Sequence, residues 1–168
     1  MRFKPFEWNK DQLHEALIKV ITLDIAPSIK KELLTILIWK IGEYEIENTD
    51  SGSWYSKKKG GKKYVMRYRS AAAKDLEGDN GLNHEHVYTK AWLIKELLNA
   101  KNDTRIISEI EGKIIPCIVT KKEHKILSDN DRNAKKEERI LHGWDRYKNA
   151  GIRVWDTREK RWLREAAP

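Results

Sequence analysis

The sequence predicts an α+β fold built from an N-terminal helical hairpin, a central ββα-like unit with a helical insertion, and a C-terminal β-hairpin. Three observations lead to this prediction. Apolar residues near the N-terminus recur with the period of an amphipathic helix. Two short runs typical of strands flank a helical stretch in the centre, and apolar and polar residues alternate on both sides of a turn near the C-terminus.

The N-terminal segment, residues 1–48, has the clearest helical pattern. A first helix is predicted from an apolar stripe with a capping pair before it, and the break at Pro27 separates it from a second stripe. Gly42 is a candidate end for the second helix. The two stripes are Leu13, Ala16, Leu17, Val20 and Ile21, then Leu33, Leu34, Leu37, Ile38 and Ile41, and the capping pair is Asn9 with Gln12. We expect this hairpin to act as a scaffold or as the surface of a homodimer.

The region 64–168 is predicted to be a basic α+β core. Ser70 is a candidate N-cap for a short helix after an extended start at Tyr64. Residues 82–88 and 114–119 read as strands, with helices between them that Thr89 and Asp103 would cap. A capping box, Thr120 to Glu123, places the start of another helix directly after the second strand. A short helix then runs from Trp144 to Ala150, and a hairpin closes across residues 157–159.

Length and composition limit the class of protein. A chain of 168 residues fits one compact domain, and 39% hydrophobic residues with seven Trp and six Tyr are enough for a core. No apolar run approaches the ~18–20 residues of a membrane span, and the N-terminus lacks a signal-peptide pattern, so we expect a soluble cytoplasmic protein. A single cysteine, Cys117, excludes an internal disulfide and a zinc site of paired cysteines, and we expect it to be buried and inert.

The charge is distributed unevenly. Residues 1–48 carry a net charge of −1, whereas residues 49–168 carry +9. Such a basic region favours a polyanionic partner, and nucleic acid, DNA more than RNA, is the expected one, with no membrane partner. The basic loop 49–63 is either a solvated loop or a flexible segment that contacts phosphate. The expected nucleic-acid contacts are Lys57, Lys58, Lys59, Lys62, Lys63, Arg67, Arg69, Arg146, Arg153 and Trp155.

The residues best suited to chemistry lie on the first central strand and the helix after the second. His84 and His86 flank Glu85, and strand alternation places both histidines on one face unless the strand bends or ends there. His124 lies in the first turns of the following helix. A carboxylate and an imidazole can hold a divalent cation against a phosphate, while a second imidazole deprotonates water.

The stretches Leu82-Asn83-His84-Glu85-His86-Val87 and Ile118-Val119-Thr120-Lys121-Lys122-Glu123-His124 resemble the HNH (ββα-metal) nuclease superfamily. The resemblance covers about residues 82–128, with 89–112 as a helical insertion. It implies that Glu85 is the metal-binding acid, His86 the general base and His124 the second metal ligand. It further implies a metal-dependent endonuclease that uses Mg²⁺ or Mn²⁺, with Zn²⁺ as an alternative, in a phage or defence setting.

Two other functions remain open from the residues alone. In a metal-independent ribonuclease or toxin, His84, His86 and His124 would perform general acid–base cleavage through the RNA 2′-hydroxyl. In a non-catalytic nucleic-acid-binding or inhibitor protein, the same histidines would be structural.

Overall fold

The computed structural model describes residues 10–47, 66–76, 80–136 and 139–166. Asn9 and the basic loop with Lys57, Lys58, Lys59, Lys62 and Lys63 lie outside these residues, so their predicted roles remain predictions.

The described residues form six helices and five strands, which makes the fold α+β as predicted. In chain order the elements are α1 (Lys10–Thr22), α2 (Pro27–Glu47), β1 (Tyr68–Ser70), β2 (Leu82–His86), α3 (Lys90–Asn99), α4 (Thr104–Glu111), β3 (Pro116–Thr120), α5 (Lys121–Lys136), α6 (Trp144–Asn149), β4 (Val154–Asp156) and β5 (Arg161–Trp162).

The five strands form one mixed sheet in the order β2-β3-β1-β4-β5. Only the β1–β3 pairing is parallel, while the neighbouring pairs β2–β3, β1–β4 and β4–β5 are antiparallel. Strands β2 and β5 therefore occupy opposite edges of the sheet.

The helical hairpin is not a separate unit, because α1 and α2 share one apolar core with α3 and α4. Leu17 and Ile38 of the hairpin are fully buried in the same cluster as Leu93 and Ile107. The stripe that suggested a homodimer surface is thus covered by the chain itself. A second core, with Val119, Leu127 and Tyr147 among its members, lies under α5 and α6 and contains Cys117. Burial raises the pKa of the Cys117 thiol, which fits the inert role expected of it.

The predicted helix N-caps Thr89 and Asp103 are confirmed by hydrogen bonds. The Thr89 hydroxyl accepts from the Trp92 amide at 3.3 Å, and the Asp103 carboxylate accepts from the amides of Arg105 and Ile106 at 3.0 and 3.1 Å. These side chains satisfy amides that the first turn of a helix leaves without backbone partners.

Two local predictions are wrong. Helix α2 continues through Gly42 to Glu47, because Gly42 packs inside the protein rather than in a left-handed terminal turn. Residues 71–75 form turns instead of a helix, although the Ser70 hydroxyl does accept from the Ala73 amide at 3.1 Å. Among the described helices, none is both long and apolar enough to cross a bilayer.

Candidate functional site

Strands β2 and β3 and helix α5 form an antiparallel strand pair followed directly by a helix. Thr120 ends β3, Lys121 begins α5, and α5 packs against both strands. Helices α3 and α4 are inserted between the two strands, as predicted. This arrangement brings the C-terminal end of β2 next to the first turns of α5.

Glu85 of β2 and His124 of α5 meet at this junction. The Glu85 Oε2 atom lies 2.6 Å from His124 Nδ1, and the His124 side chain is 43% exposed, against 15% for Glu85. A carboxylate that accepts from Nδ1 holds the imidazole in the tautomer with its proton on that nitrogen. The Nε2 atom, on the other side of the ring, is then left to act as a base or as a metal ligand.

Arg146 of α6 fixes the surroundings of this pair, although it is only 3% exposed. Its Nη1 atom donates to the carbonyl oxygens of His86 and Val87 at 2.8 and 3.0 Å, which anchors the end of β2. Its Nε and Nη2 atoms donate to the two carboxylate oxygens of Asp131 on α5 at 3.0 and 2.5 Å. Nη2 also lies 3.8 Å from Glu85 Oε1, so one guanidinium joins α6, β2 and α5.

His84 and His86 lie on the opposite face of β2 from Glu85, as strand alternation predicts. Their rings stack at 5.0 Å between centroids, and Trp39 of α2 packs edge-on against both, at 4.2 Å from His84 and 5.3 Å from His86. The strand remains paired through His86, opposite Pro116, so Glu85 and His86 do not converge.

His86 is therefore not placed as a general base in this structure. It is 2% exposed, and its Nε2 atom has no hydrogen-bond partner among the described residues. Burial, together with the charges of Lys90 and Arg146, lowers the pKa of His86 to about 4, so the buried ring is neutral near pH 7. The imidazole that does reach solvent beside Glu85 is His124.

A half-open cleft of about 430 Å³ runs along this end of β2. One wall is a single face of α5, where His124, Ser128 and Asp131 follow one another at helical spacing. The start of α3 forms another part of the wall and contributes Lys90, whose Nζ lies 5.4 Å from the centroid of the Trp39 ring. The cleft thus presents a carboxylate–imidazole pair, a hydroxyl and a cation.

The donor set can be compared with what a divalent cation requires. In the described parts of the chain no three His, Cys, Asp or Glu side chains are grouped to hold a metal ion. Glu85 and His124 nevertheless provide one carboxylate and one imidazole in contact. Because Glu85 contacts Nδ1, the His124 atom available to a divalent cation is Nε2, and water and a phosphate would complete the coordination.

Three of the arginines predicted to contact nucleic acid instead form hydrogen bonds with other groups of the protein. Arg69 is 2% exposed and donates to the carbonyl oxygens of Ala73 and Leu76, and Arg146 is the buried anchor described above. Arg67 donates to the buried Asp156, from Nε and Nη2 to Oδ2 at 3.0 and 2.9 Å and from Nε to Oδ1 at 3.3 Å. For Arg69 and Arg146 the prediction is wrong, because the fold uses their guanidinium groups to satisfy buried carbonyl and carboxylate oxygens.

Arg153 and Trp155 do lie at the surface of the β4–β5 hairpin. Arg153 is exposed and Trp155 half-buried, while Val154 between them is fully buried, which confirms the alternation expected along this hairpin.

Sequence reasoning missed four contributors to the site, namely Trp39, Lys90, Asp131 and the role of Arg146. Asp131 could have been found, because it follows His124 by seven residues and so shares its helix face. Trp39 and Arg146 come from α2 and α6, and no local pattern relates them to β2.

Comparison with known proteins finds no match to this chain among protein-family models, curated proteins or solved structures.

Proposed function

We propose that the protein is a metal-dependent endonuclease that hydrolyses phosphodiester bonds in nucleic acid, with its centre at Glu85 and His124. The observation that carries this proposal is the 2.6 Å contact between these side chains, where an antiparallel strand pair meets the helix that follows it. A carboxylate and an imidazole that converge on a cleft with a nearby cation suit the binding of a scissile phosphate.

In this proposal each side chain of the cleft has a separate role. His124 would hold the divalent cation through Nε2, Glu85 would orient the ring through Nδ1, and the cation would supply charge stabilisation to the phosphate. Lys90 at the start of α3 lines the same cleft and would meet a phosphate oxygen. Arg146 and Asp131 keep β2 and α5 in register, so that Glu85 faces His124.

A second candidate is a metal-independent ribonuclease, and one specific observation favours it. The hydrogen bond from Nδ1 to a carboxylate is also the arrangement that orients a histidine for general acid–base catalysis. His124, rather than the buried His86, would then exchange a proton with the RNA 2′-hydroxyl.

One experiment separates the candidates. Supercoiled plasmid and single-stranded RNA are incubated with the wild type and with Glu85→Gln, in Mg²⁺ or Mn²⁺ and in chelator. We expect metal-dependent nicking of the plasmid that Glu85→Gln loses. Cleavage of RNA alone, at equal rate in chelator, would replace the first proposal with the second. If neither substrate is cut, the protein does not act as a nuclease at this site.

A further inference from the structure

The outer surface of the β4–β5 hairpin carries two tryptophans with a cation against each. Trp155 and Trp162 lie directly opposite each other on the two strands, with ring centroids 5.1 Å apart. The Lys74 ammonium lies 4.3 Å from the centroid of the Trp155 ring, and the Arg153 guanidinium lies 4.4 Å from that of Trp162. We refer to Lys74, Arg153, Trp155 and Trp162 as the tryptophan surface.

The buried Arg69 explains how Lys74 reaches this surface. Arg69 pairs with Trp155 across the β1–β4 ladder, and its guanidinium donates to the carbonyl oxygens of Ala73 and Leu76 at 2.7 and 2.9 Å. These bonds hold the turn after β1 against the sheet. The turn thereby carries Lys74 over the Trp155 ring.

The cations of this surface have no ion-pair partner among the described residues. Within the part of the chain that the structure describes, neither Lys74 nor Arg153 forms an ion pair with a carboxylate. The exposed side chains of the hairpin and the residues after it add more cations than anions; the cations are Arg158, Lys160, Arg161 and Arg164, and the anions are Glu159 and Glu165. Half-buried aromatic rings beneath unpaired cations match a ligand that has both flat rings and phosphates.

We infer that the tryptophan surface binds single-stranded nucleic acid, with the rings and the Arg153 guanidinium contacting unstacked bases and the cations contacting phosphates. The bases of a duplex are stacked and paired, so their faces cannot reach these side chains, whereas the bases of a single strand can. This inference rests on the proposed function for the nature of the ligand, and it adds that the substrate offers unpaired bases to the protein, as the locally unwound segments of a supercoiled plasmid do.

The position of the surface separates it from the Glu85–His124 cleft. It lies on β4 and β5, at the edge of the sheet opposite β2, and the three and four strand spacings from β2 amount to about 14 and 19 Å. Trp155 shares its sheet face with Arg69, Ile118 and His84 through the ladder partners, whereas Glu85 faces the other side. The surface therefore binds a part of the strand away from the bond that is cut.

The test is a binding titration that does not depend on cleavage. Fluorescence anisotropy is recorded in chelator with labelled oligothymidylate, with oligouridylate and with a DNA duplex of the same length. The full chain is compared with Arg153→Ala, with Trp155→Leu and with Arg105→Ala. Arg105 is the matched control, because it is an exposed arginine on α4 that pairs with Glu109 at 3.4 Å, so its loss removes the same charge elsewhere.

We expect the wild type to bind the single strands more tightly than the duplex. Arg153→Ala and Trp155→Leu should each weaken single-strand binding by about five-fold or more, the effect of losing one stacking contact. Equal affinity for duplex and single strand would overturn the inference, as would an Arg153→Ala effect no larger than that of Arg105→Ala. Single-strand binding without any cleavage would remove the proposed reaction and leave this inference intact.

Discussion

The two oxygens of the Glu85 carboxylate serve different partners. Oε2 accepts from His124, while Oε1 lies 3.8 Å from Arg146 and accepts from the His86 amide at 3.3 Å. The carboxylate is thus held from both sides, and the orientation of His124 depends on it. A buried side chain, Arg146, therefore sets the geometry of the Glu85–His124 pair.

Arg146→Met is expected to reduce cleavage more than a substitution elsewhere that lowers the free energy of unfolding by the same amount. Arg67→Met is the matched variant, because Arg67 also donates to both carboxylate oxygens of an aspartate, the buried Asp156. Each change leaves a carboxylate without its cation, so each should lower the free energy of unfolding by about 3 kcal/mol. Initial cleavage rates are compared at a temperature where circular dichroism shows both variants folded.

Only Arg146→Met should also change the ¹⁵N chemical shifts of the His124 ring, since these shifts report which nitrogen carries the proton. Equal loss of activity in the two variants, with unchanged His124 shifts, would show that Arg146 contributes to stability alone and does not orient His124.

His86 makes the stability of the fold dependent on pH. Burial is the main cause that lowers its pKa from 6.5 to about 4 in the folded protein. Between these values the unfolded chain binds a proton that the folded protein does not, so the free energy of unfolding falls as the pH drops from 6.5 towards 4. The total change is about 3 kcal/mol.

Urea unfolding of the wild type and of His86→Phe at a series of pH values between these limits measures this dependence. The variant should have a flatter profile, because the titrating group is gone while a ring still packs on Trp39. Parallel profiles for the two proteins would show that other groups cause the loss of stability in acid.

At the scale of the elements, the start of α5 determines where His124 lies. The Glu123 Oε2 atom accepts from the Thr120 amide at 2.8 Å, from the Thr120 hydroxyl at 2.9 Å and from the Ser70 hydroxyl at 2.6 Å. In return the Thr120 hydroxyl accepts from the Glu123 amide at 3.2 Å. The predicted capping box is therefore confirmed, and it also ties α5 to β1.

Glu123→Ala should lower the free energy of unfolding by about 1–2 kcal/mol, because it removes the cap and leaves the Ser70 hydroxyl without this acceptor. Cleavage should fall as well, since His124 follows in the same turn. Glu109→Ala, which breaks an exposed ion pair on α4, serves as the control and should change stability by less than about 1 kcal/mol. Equal stability of the two variants in urea would contradict the structural role of this cap.

The sequence was informative at most positions where the signal was local, the helix end at Gly42 and the helix after Ser70 being the exceptions. The caps at Thr89, Asp103 and Thr120, the apolar stripes of α1 and α2 and the β4–β5 hairpin each depend on residues close in the chain, and the structure confirms them. The side-chain pairing of Glu85 with His124 follows from two such elements that pack together. The proposed chemistry there remains a prediction.

What could not be predicted depends on partners far apart in the chain. The parallel pairing of β1 with β3, the contact of Trp39 with the two strand histidines and the anchoring of β2 by Arg146 join segments with no local relation. The sequence also does not show which basic residues are buried, so Arg69 and Arg146 were predicted to be surface cations.

At the scale of the whole molecule, the sheet separates two regions of different character. The Glu85–His124 cleft lies at the β2 edge, and the tryptophan surface lies at the β5 edge. The net charge of +9 over residues 49–168 favours association with a polyanion, but charge alone selects neither strandedness nor chemistry. In this account the tryptophan surface selects the strand and the cleft performs the reaction.

The chain contains its own control for that reaction, because a second histidine–glutamate pair lies elsewhere. His14 Nδ1 of α1 is 2.5 Å from Glu111 Oε2 of α4, and His14 is 31% exposed, close to the 43% of His124. Removing either imidazole breaks a comparable pair. Only His124 lies on the cleft with Lys90 and Arg146.

The most direct test of the central claim is therefore the initial rate of plasmid and RNA cleavage by His124→Ala beside His14→Ala, in Mn²⁺ and in chelator. The account predicts that His124→Ala loses activity by about a hundred-fold or more, while His14→Ala keeps a rate near that of the wild type. Equal rates for the two variants, or cleavage that survives in His124→Ala, would place the reaction away from Glu85 and His124 and contradict the proposed function.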